Sequence, residues 1–417
     1  MPGETIIQTV FSNGLRVKLK QQLQQRTVNL GVFIAHGAKD ETPEVNGIAH
    51  YIEHVLFNPN HMPQPTKKLL NTLLGGGAQY EAYTSKEYTR FTVTCLPEQQ
   101  EQALSALSQL VSRWHIDTKA MEHERPIILQ EHAMHFSSST ILGELLDKAF
   151  WGDRSLGLFV IGRKENIHRF TKQELEQRAS QYYSAERTHL VALGPLEIEP
   201  FVNLTNKYFG SWMNTPHSLP TPVVETEPSI SALPTNQSRV DLIVGYVGVP
   251  FSSSDRHAVA LLADVLGGGM RSRLFLELRE KHQVVYLVHA YSVNYGLGGY
   301  LAIRTNCEAA QLPKVYALIQ QELERIKTGG ITEAELVSAK AARTTAFLRV
   351  LENSTQHLQI LGNYSVLNDD FFVDLEVRRV AAVQTEHIMR MAREILIPDH
   401  LALVALGPKE ETLLRLV

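Results

Sequence analysis

The sequence repeats itself once, and this duplication constrains its fold more than any other feature. The hexapeptide LVALGP begins at Leu190 and again at Leu403. The strand-like segments RFTVTC and AIRTNC end at Cys95 and Cys307, and the runs VNL and VDL are separated by the same interval as these two cysteines. The interval between the two hexapeptides is one residue longer than the interval between the two cysteines. Three matches at nearly one spacing indicate a duplicated domain.

A proline-rich segment, residues 215–236, separates the two halves. It has neither helical nor strand periodicity, so we predict an extended, fairly stiff linker. The sequence therefore divides into an N-terminal domain at 1–214, this linker, and a homologous C-terminal domain at 237–417.

Each half mixes strand and helix patterns. Residues 5–19 predict a β-hairpin with a tight turn at Asn13-Gly14, 28–35 a strand, and 47–57 and 119–135 helices. We predict an α+β fold of two homologous domains, each a mainly antiparallel sheet packed with helices.

Charge and cysteine content limit the classes of function. The formal net charge of −4 over 417 residues favours neither nucleic acid nor an anionic membrane as a partner. We expect no transmembrane helix and no secretory signal, because long apolar runs and a basic N-terminal stretch are missing from the sequence. With only two cysteines, a metal site must use histidine and carboxylate, and a reducing cytoplasm is the expected compartment.

The pentapeptide His50-Tyr51-Ile52-Glu53-His54 carries the strongest chemical signal. Residues four apart share one helix face, so His50 and His54 can bind one zinc ion. Glu53 can then act as the base that takes a proton from a zinc-activated water. The alternative is an ordinary surface pair of histidines. The apolar neighbours in this segment favour a half-buried helix, in which such polar groups need partners.

A catalytic zinc needs a third protein ligand, and the predicted helix 119–135 offers several. Spacing alone does not choose among the acidic and imidazole side chains on that helix: Glu122, His123, Glu124, Glu131, His132 and His135.

The sequence resembles the pitrilysin/insulysin family of zinc peptidases with the inverted HxxEH motif. Its length and duplication are similar to the short members that resemble mitochondrial processing peptidase and its bacterial relatives. In the family, a glutamate ligand follows the motif at about the distance that separates Glu131 from His54 here, and a supporting carboxylate precedes that ligand by two helical turns, as Glu124 precedes Glu131. The resemblance thus implies one Zn²⁺ on His50, His54 and Glu131, oriented by Glu124.

The segment AYTSKEYT, which begins at Ala82, resembles the family's active-site edge strand. Such a strand binds peptide substrate by main-chain pairing. The family usually has asparagine before that alanine, whereas this chain has Glu81. The resemblance implies that Glu81 and Ala82 contact substrate, and the alternative for Glu81 is a place at the rim.

In the second half, the segment GGGMRSRLF, which begins at Gly267, is similar to the family's glycine-rich segment. The family carries an arginine and a tyrosine beyond it with the spacing that Arg279 and Tyr286 have here. The resemblance implies that this pair holds the substrate and stabilises the developing oxyanion. Without the resemblance, a surface ion pair for Arg279 and core packing for Tyr286 would be preferred.

The second half lacks the HxxEH motif: Ala260, Ala263 and Asp264 stand in place of the histidine His50, the base Glu53 and the histidine His54. We predict that domain 1–214 binds metal and that domain 237–417 shapes the substrate site without one. The resemblance implies a homodimer, or a heterodimer with a homologous subunit, in which Arg279 and Tyr286 serve the partner's zinc.

The sequence therefore predicts a zinc metalloendopeptidase that cuts short or unfolded peptides in a closed chamber. A non-catalytic or partner-dependent subunit of a heterodimeric peptidase is the alternative, and a metal hydrolase with a different substrate is a third hypothesis.

Overall fold

The computed structural model describes residues 4–137, 139–212 and 224–408. Its strands are β1 (Glu4–Val10), β2 (Arg16–Gln22), β3 (Val28–Ile34), β4 (Gln79–Thr84), β5 (Thr89–Cys95), β6 (Thr188–Gly194), β7 (Ile230–Pro234), β8 (Arg239–Val247), β9 (Val288–Asn294), β10 (Gly299–Glu308) and β11 (Leu401–Gly407).

The helices are α1 (Ile48–Phe57), α2 (Gln64–Gly75), α3 (Gln100–Ser112), α4 (Thr118–Ser137), α5 (Leu142–Trp151), α6 (Lys164–Arg169), α7 (Lys172–Tyr182), α8 (Ile198–Phe209), α9 (Arg256–Gly267), α10 (Leu312–Gly329), α11 (Glu333–Glu352), α12 (Ser354–Val366), α13 (Val373–Ala382) and α14 (Thr385–Ile395). A π-helical segment spans Phe275–Lys281. None of these described helices is both long and apolar enough to span a bilayer.

Two sheets reproduce the duplication seen in the sequence. Over the described residues, the first has the strand order β1-β2-β6-β3-β5-β4 and the second β7-β11-β8-β10-β9. In each sheet one pair is parallel, β2 with β6 and β7 with β11, and the other pairs are antiparallel. The predicted α+β fold with two similar, mainly antiparallel sheets is confirmed.

The chain forms two compact units, and each takes a segment from the other half of the sequence. The first unit comprises Met1–Met134, Leu158–Val223 and Val350–Phe371; the second comprises His135–Gly157, Val224–Arg349 and Phe372–Val417. The first unit therefore contains α12 and the second contains α5. The compact units thus do not coincide with the limits 1–214 and 237–417, which remain a prediction about domains.

In the first unit, the exchanged helix α12 explains why every residue of β3 is buried. Leu30, Val32 and Ile34 belong to the main core of this unit. A side chain at Gly31 would meet Leu358 of α12, and one at Gly362 of α12 would meet the ring of Phe33. The sheet is thus covered on both faces at β3, as a strand whose residues are all buried requires.

In the second unit, α5 packs on the second sheet in the same manner. A side chain at Gly245 of β8 would meet Leu146 and Phe150 of α5. The ring of Phe150 also stacks on that of Tyr300 in β10, with centroids 5.4 Å apart.

Two local predictions need adjustment. The hairpin of β1 and β2 is confirmed, with Val10 opposite Arg16. Its loop has a positive φ at Gly14 and not at Asn13, so it is not a two-residue primed turn. The predicted linker 215–236 contains Ile230–Pro234, which is the edge strand β7; its residues 215–223 lie outside the described residues.

Candidate metal centre

Helix α1 brings the histidines of the HxxEH motif together. Its apolar side packs into the core through Ile48, Ile52 and Val55, so the polar residues between them share the opposite side. The rings of His50 and His54 lie one turn apart, with centroids separated by 4.6 Å.

Helix α4 supplies a carboxylate to this pair. The Oε2 atom of Glu131 lies 3.2 Å from Nε2 of His54 and 3.8 Å from Nε2 of His50. Ligand atoms of the three residues lie within 4.8 Å of one another, and no other such group of three occurs among the described residues. Helix α4 continues through Pro126, so Glu124 and Glu131 stay on one helix.

The remaining candidates on this helix have other contacts. Glu122 pairs with Arg125, and His135 pairs with Glu144. His123 lies 3.1 Å from Glu124 rather than beside the imidazole Nε2 atoms. Among the side chains that the sequence left open, Glu131 is thus the one that the structure brings to both histidines.

The three side chains fit a catalytic zinc ion. Ligands at about 2.0–2.2 Å in tetrahedral geometry lie roughly 3.4 Å apart, close to the observed 3.2 and 3.8 Å. Two imidazoles and one carboxylate leave a fourth position for water or substrate. The Glu131 side chain is 49% exposed, so solvent can reach this side of the site.

Glu124 lies on the far side of His54 from this position. Its Oε2 atom is 3.2 Å from Nδ1 of His54, while Oε1 accepts a 2.5 Å hydrogen bond from Asn58 and lies 3.1 Å from Nδ1 of His123. A carboxylate at Nδ1 fixes the tautomer that leaves Nε2 free to bind a metal. Glu124 is 4% exposed; burial by itself would raise the pKa of Glu124, but these three partners outweigh it and hold that pKa at about 2.

The electrostatic field at His54 favours a cation. Burial by itself lowers the pKa of His54, but Glu124 and Glu131 outweigh that effect and raise this pKa to about 9. Carboxylates that stabilise an imidazolium also stabilise a metal ion bound at the same ring, and the metal then competes with the proton.

Glu53 is buried beside the candidate metal ligands and is held by the end of strand β4. The hydroxyl of Thr84, the last residue of β4, donates a 2.7 Å hydrogen bond to Oε2 of Glu53. Burial raises the pKa of Glu53, although the Thr84 hydroxyl opposes this. A carboxylate with a raised pKa is suited to accept a proton near neutral pH.

Strand β4 is an edge strand that carries Glu81 and Ala82. It pairs with β5 on one side, with Glu81 opposite Thr92 and Ala82 opposite Phe91. On its other side no strand pairs with it within the described residues. Glu81 is exposed and Ala82 is half-buried, so the structure leaves the main chain here able to pair with an extended peptide.

In the second unit, Arg279 lies on the π-helical segment and contacts Tyr286. Its guanidinium donates a 2.9 Å hydrogen bond to the carbonyl of Tyr286 and lies 4.8 Å from the centre of that ring. Tyr286 is 71% exposed, so core packing, the alternative from the sequence, is wrong.

The second unit has an ion pair where the first unit has its candidate metal ligands. Asp264 of α9 is the counterpart of His54, and Arg343 of α11 follows Glu131 by the same interval that separates Cys307 from Cys95. Arg343 donates two hydrogen bonds to the Asp264 carboxylate, at 2.8 and 2.7 Å. A guanidinium thus joins α9 to α11, at a position like that of the candidate metal ligands on α1 and α4.

Sequence reasoning missed Asn58, Thr84 and Arg343. Asn58 lies one helical turn after His54 and therefore shares its helix side, and Thr84 lies inside the recognised edge-strand motif. Arg343 could have been found by applying the repeat interval of the two halves to Glu131.

Comparison with known proteins gives the following matches. The family model described as "Insulinase (Peptidase family M16)" matches residues 16–164, and that described as "Peptidase M16 inactive domain" matches 169–343. A relative from Bacillus subtilis, an uncharacterised zinc protease, is 30% identical over 400 residues, which cover 95% of this chain and 97% of the relative.

A probable mitochondrial-processing peptidase subunit beta from Arabidopsis thaliana is 21% identical, with 97% of this chain and 78% of that protein covered. Among solved structures, a protease from Helicobacter pylori superposes with a TM-score of 0.87 at 20% identity, covering 97% of this chain and 100% of that one. At that identity the likeness supports the fold alone.

Proposed function

Because the chain belongs to the M16 (insulinase) family of peptidases, we propose that it is a zinc metalloendopeptidase that hydrolyses short or unfolded peptides. The observation that carries this proposal is the convergence of His50, His54 and Glu131 beside the buried Glu53. The relatives named zinc proteases support the choice of metal.

A zinc ion held by His50, His54 and Glu131 would act as a Lewis acid and lower the pKa of a nearby water to about 7. Glu53 takes the proton from that water and later delivers it to the leaving amine. The hydroxyl of Thr84 keeps the Glu53 carboxylate in position for both transfers.

The peptide substrate pairs with the open side of β4, next to Glu81 and Ala82. Main-chain pairing explains how one site accepts many sequences. An exposed carboxylate at Glu81 favours a basic substrate residue nearby.

Arg279 and Tyr286 donate hydrogen bonds to the oxyanion that develops on the scissile carbonyl. We assign this role in trans, with the pair from one chain serving the metal centre of a second. One relative is named a subunit, which supports pairing with a second copy or with a homologous chain. A chain with both the metal ligands and the Arg–Tyr pair makes a homodimer self-sufficient.

Two chains that meet in this way would enclose the site in a chamber, which selects short or unfolded peptides. Cys95 and Cys307 are buried, unpaired thiols, which favours a reducing compartment such as the cytoplasm.

The test combines zinc analysis with mass spectrometry of the products from a peptide library. We expect about one zinc per chain and chelator-sensitive cleavage. Glu53→Gln should lower the cleavage rate by roughly 10²–10⁴-fold with zinc retained, whereas His50→Ala should lose the zinc as well. Full activity of Glu53→Gln would contradict the mechanism, and a zinc-free, inactive wild type would favour the non-catalytic subunit.

A further inference from the structure

One buried carboxylate near the metal centre has no part in the proposed chemistry. Glu41 follows a short 3₁₀ turn, Ala38–Asp40, and is 6% exposed. An ionised group is rarely buried unless it is paired or hydrogen-bonded. Its contacts therefore indicate what it does.

Both oxygens of the Glu41 carboxylate accept hydrogen bonds from the start of α1. Oε2 accepts from the main-chain N–H of Gly47 and from the side-chain amide of Asn46, and Oε1 accepts from the N–H of Ala49, each at 2.8 Å. The first N–H groups of a helix have no partner within the helix. A carboxylate there satisfies two of them and interacts favourably with the helix dipole.

The capped turn is the turn that carries a metal ligand. Helix α1 begins at Ile48, so His50 is its third residue and lies in the first turn, where helices fray. His54 lies a full turn deeper. Loss of the cap should therefore disturb His50 first, while His54 stays held by Glu124.

The residues just before α1 are also held by contacts other than those with Glu41. Gly47 adopts φ +101°, and a Cβ there would lie 2.8 Å from the Cα of Gly162. The Asn46 side chain also donates to the carbonyl of Phe159, and Asn166 donates to the carbonyl of Asn46. The helix can thus start at only one place, and Glu41 binds the N–H groups presented there.

Burial and the neighbouring groups have opposite effects on the Glu41 carboxyl. Burial is the larger effect and raises its pKa, the positive charge of Arg178 and the three hydrogen-bond donors lower it, and the resulting pKa is about 7. Arg178 itself is held by His36 and by the carbonyl of Asp40. Above pH 7 the ionised group can accept all three hydrogen bonds.

We propose that Glu41 is a positioning residue for the metal centre, which fixes the first turn of α1 and with it the imidazole of His50. This inference rests on the proposed function, because its consequence is tighter zinc binding.

The experiment measures zinc affinity by chelator competition at about pH 8, where carboxylates are ionised. Glu41→Gln keeps the size of the side chain but directs an NH₂ group at N–H donors. Glu41→Asp keeps the negative charge, but the side chain is one methylene shorter, so the carboxylate lies farther from the N–H donors. Glu44→Gln is the matched control, since Glu44 lies in the same loop and is exposed. All variants are compared after circular dichroism confirms that they are folded.

We expect both Glu41 variants to bind zinc about 10–100-fold more weakly than the wild type, and the Glu44 control to bind like the wild type. The visible spectrum of the Co²⁺ form should change in the Glu41 variants. If Glu41 had only a structural role, its variants would have a lower melting temperature but the same zinc affinity and the same Co²⁺ spectrum as the wild type. That result would overturn the proposal.

A second test uses the wild-type protein alone and compares its amide hydrogen exchange with and without zinc. If the first turn and the metal are coupled, zinc must slow amide hydrogen exchange at Gly47 and Ala49, since coupling is reciprocal. Exchange at these amides that zinc leaves unchanged would also overturn the inference. Failure of the proposed function would be distinct, because the wild type and the Glu44→Gln control would then bind no zinc.

Discussion

At the residue scale, each proposed chemical group is held by a neighbour that does no chemistry itself. His54 is oriented by Glu124, Glu124 is held by Asn58, and Glu53 accepts a hydrogen bond from Thr84. Such supporting contacts keep a reactive group within the narrow range of positions that catalysis needs.

Thr84→Val should lower kcat about tenfold, a part of the ~10²–10⁴-fold that a general base supplies. Valine keeps the shape of the buried side chain but removes the hydroxyl that orients Glu53. The variant should keep its zinc and a similar KM, and steady-state kinetics with metal analysis checks both. Thr84→Ser, which restores a hydroxyl, is the control and should recover most of the rate. An unchanged kcat in Thr84→Val would contradict the role of this hydrogen bond.

The sequence predicted the candidate metal ligands but not the residues that hold them in place. His50, Glu53 and His54 lie within one helical turn, so local periodicity places them together. The choice of Glu131 needed the family resemblance, which the family matches confirm as a whole. Thr84 contacts Glu53 across a tertiary interface between a strand end and a helix. Glu41 contacts the start of α1 from a loop a few residues earlier, and this contact follows neither the helix period nor the strand period.

At the element scale, the corresponding helices of the two units carry different groups where they face each other. In the first unit, the candidate metal ligands lie on α1 and α4; in the second, Arg343 of α11 binds Asp264 of α9. A guanidinium is a permanent cation with two donors for one carboxylate. It can therefore join two helices without a metal.

Arg343→Met should destabilise the protein by about 1–3 kcal/mol, less than the ~3–5 kcal/mol of a fully buried pair, because Arg343 and Asp264 are 27% and 17% exposed. The variant leaves the Asp264 carboxylate without its counter-charge. Denaturant unfolding measures the change, and zinc content should stay constant. Arg349→Met, on the exposed side of the same helix, is the control and should change the free energy of unfolding little. Adding Asp264→Asn should recover part of the loss; a double variant no better than Arg343→Met would contradict this explanation.

Strand and helix patterns predicted β1, β2, β3, α1 and α4, because such patterns are local. The assignment of α5 and α12 to opposite units was not predictable in this way. Phe150 of α5 packs on Gly245, and Gly362 of α12 packs on Phe33. The two residues of each pair are distant in sequence, and a glycine gives no periodic signal. The strand β7 was hidden for a related reason: its proline-rich surroundings favour an extended linker.

At the scale of the whole molecule, the exchange of α5 and α12 means that neither sequence half contains all the residues that cover its own sheet. Each sequence half thus contributes one helix to the unit that the other half mainly forms. The three candidate metal ligands lie in the first unit, and the half-buried Arg279 and the exposed Tyr286 lie in the second.

The proposed action in trans predicts complementation between two inactive variants. Glu53→Gln lacks the base and Arg279→Ala lacks an oxyanion donor, so each homodimer should be nearly inactive. In a mixed dimer, the intact Arg279 of the first chain faces the intact Glu53 of the second, which restores one site of two. Random exchange makes half of the dimers mixed, so activity should return to about a quarter of wild type in a symmetric two-fold dimer. The measurement is peptide cleavage after dissociation and reassociation of an equimolar mixture, with each variant treated alone as the control. If the Arg–Tyr pair served its own chain, every mixed dimer would contain two defective sites and no activity would return.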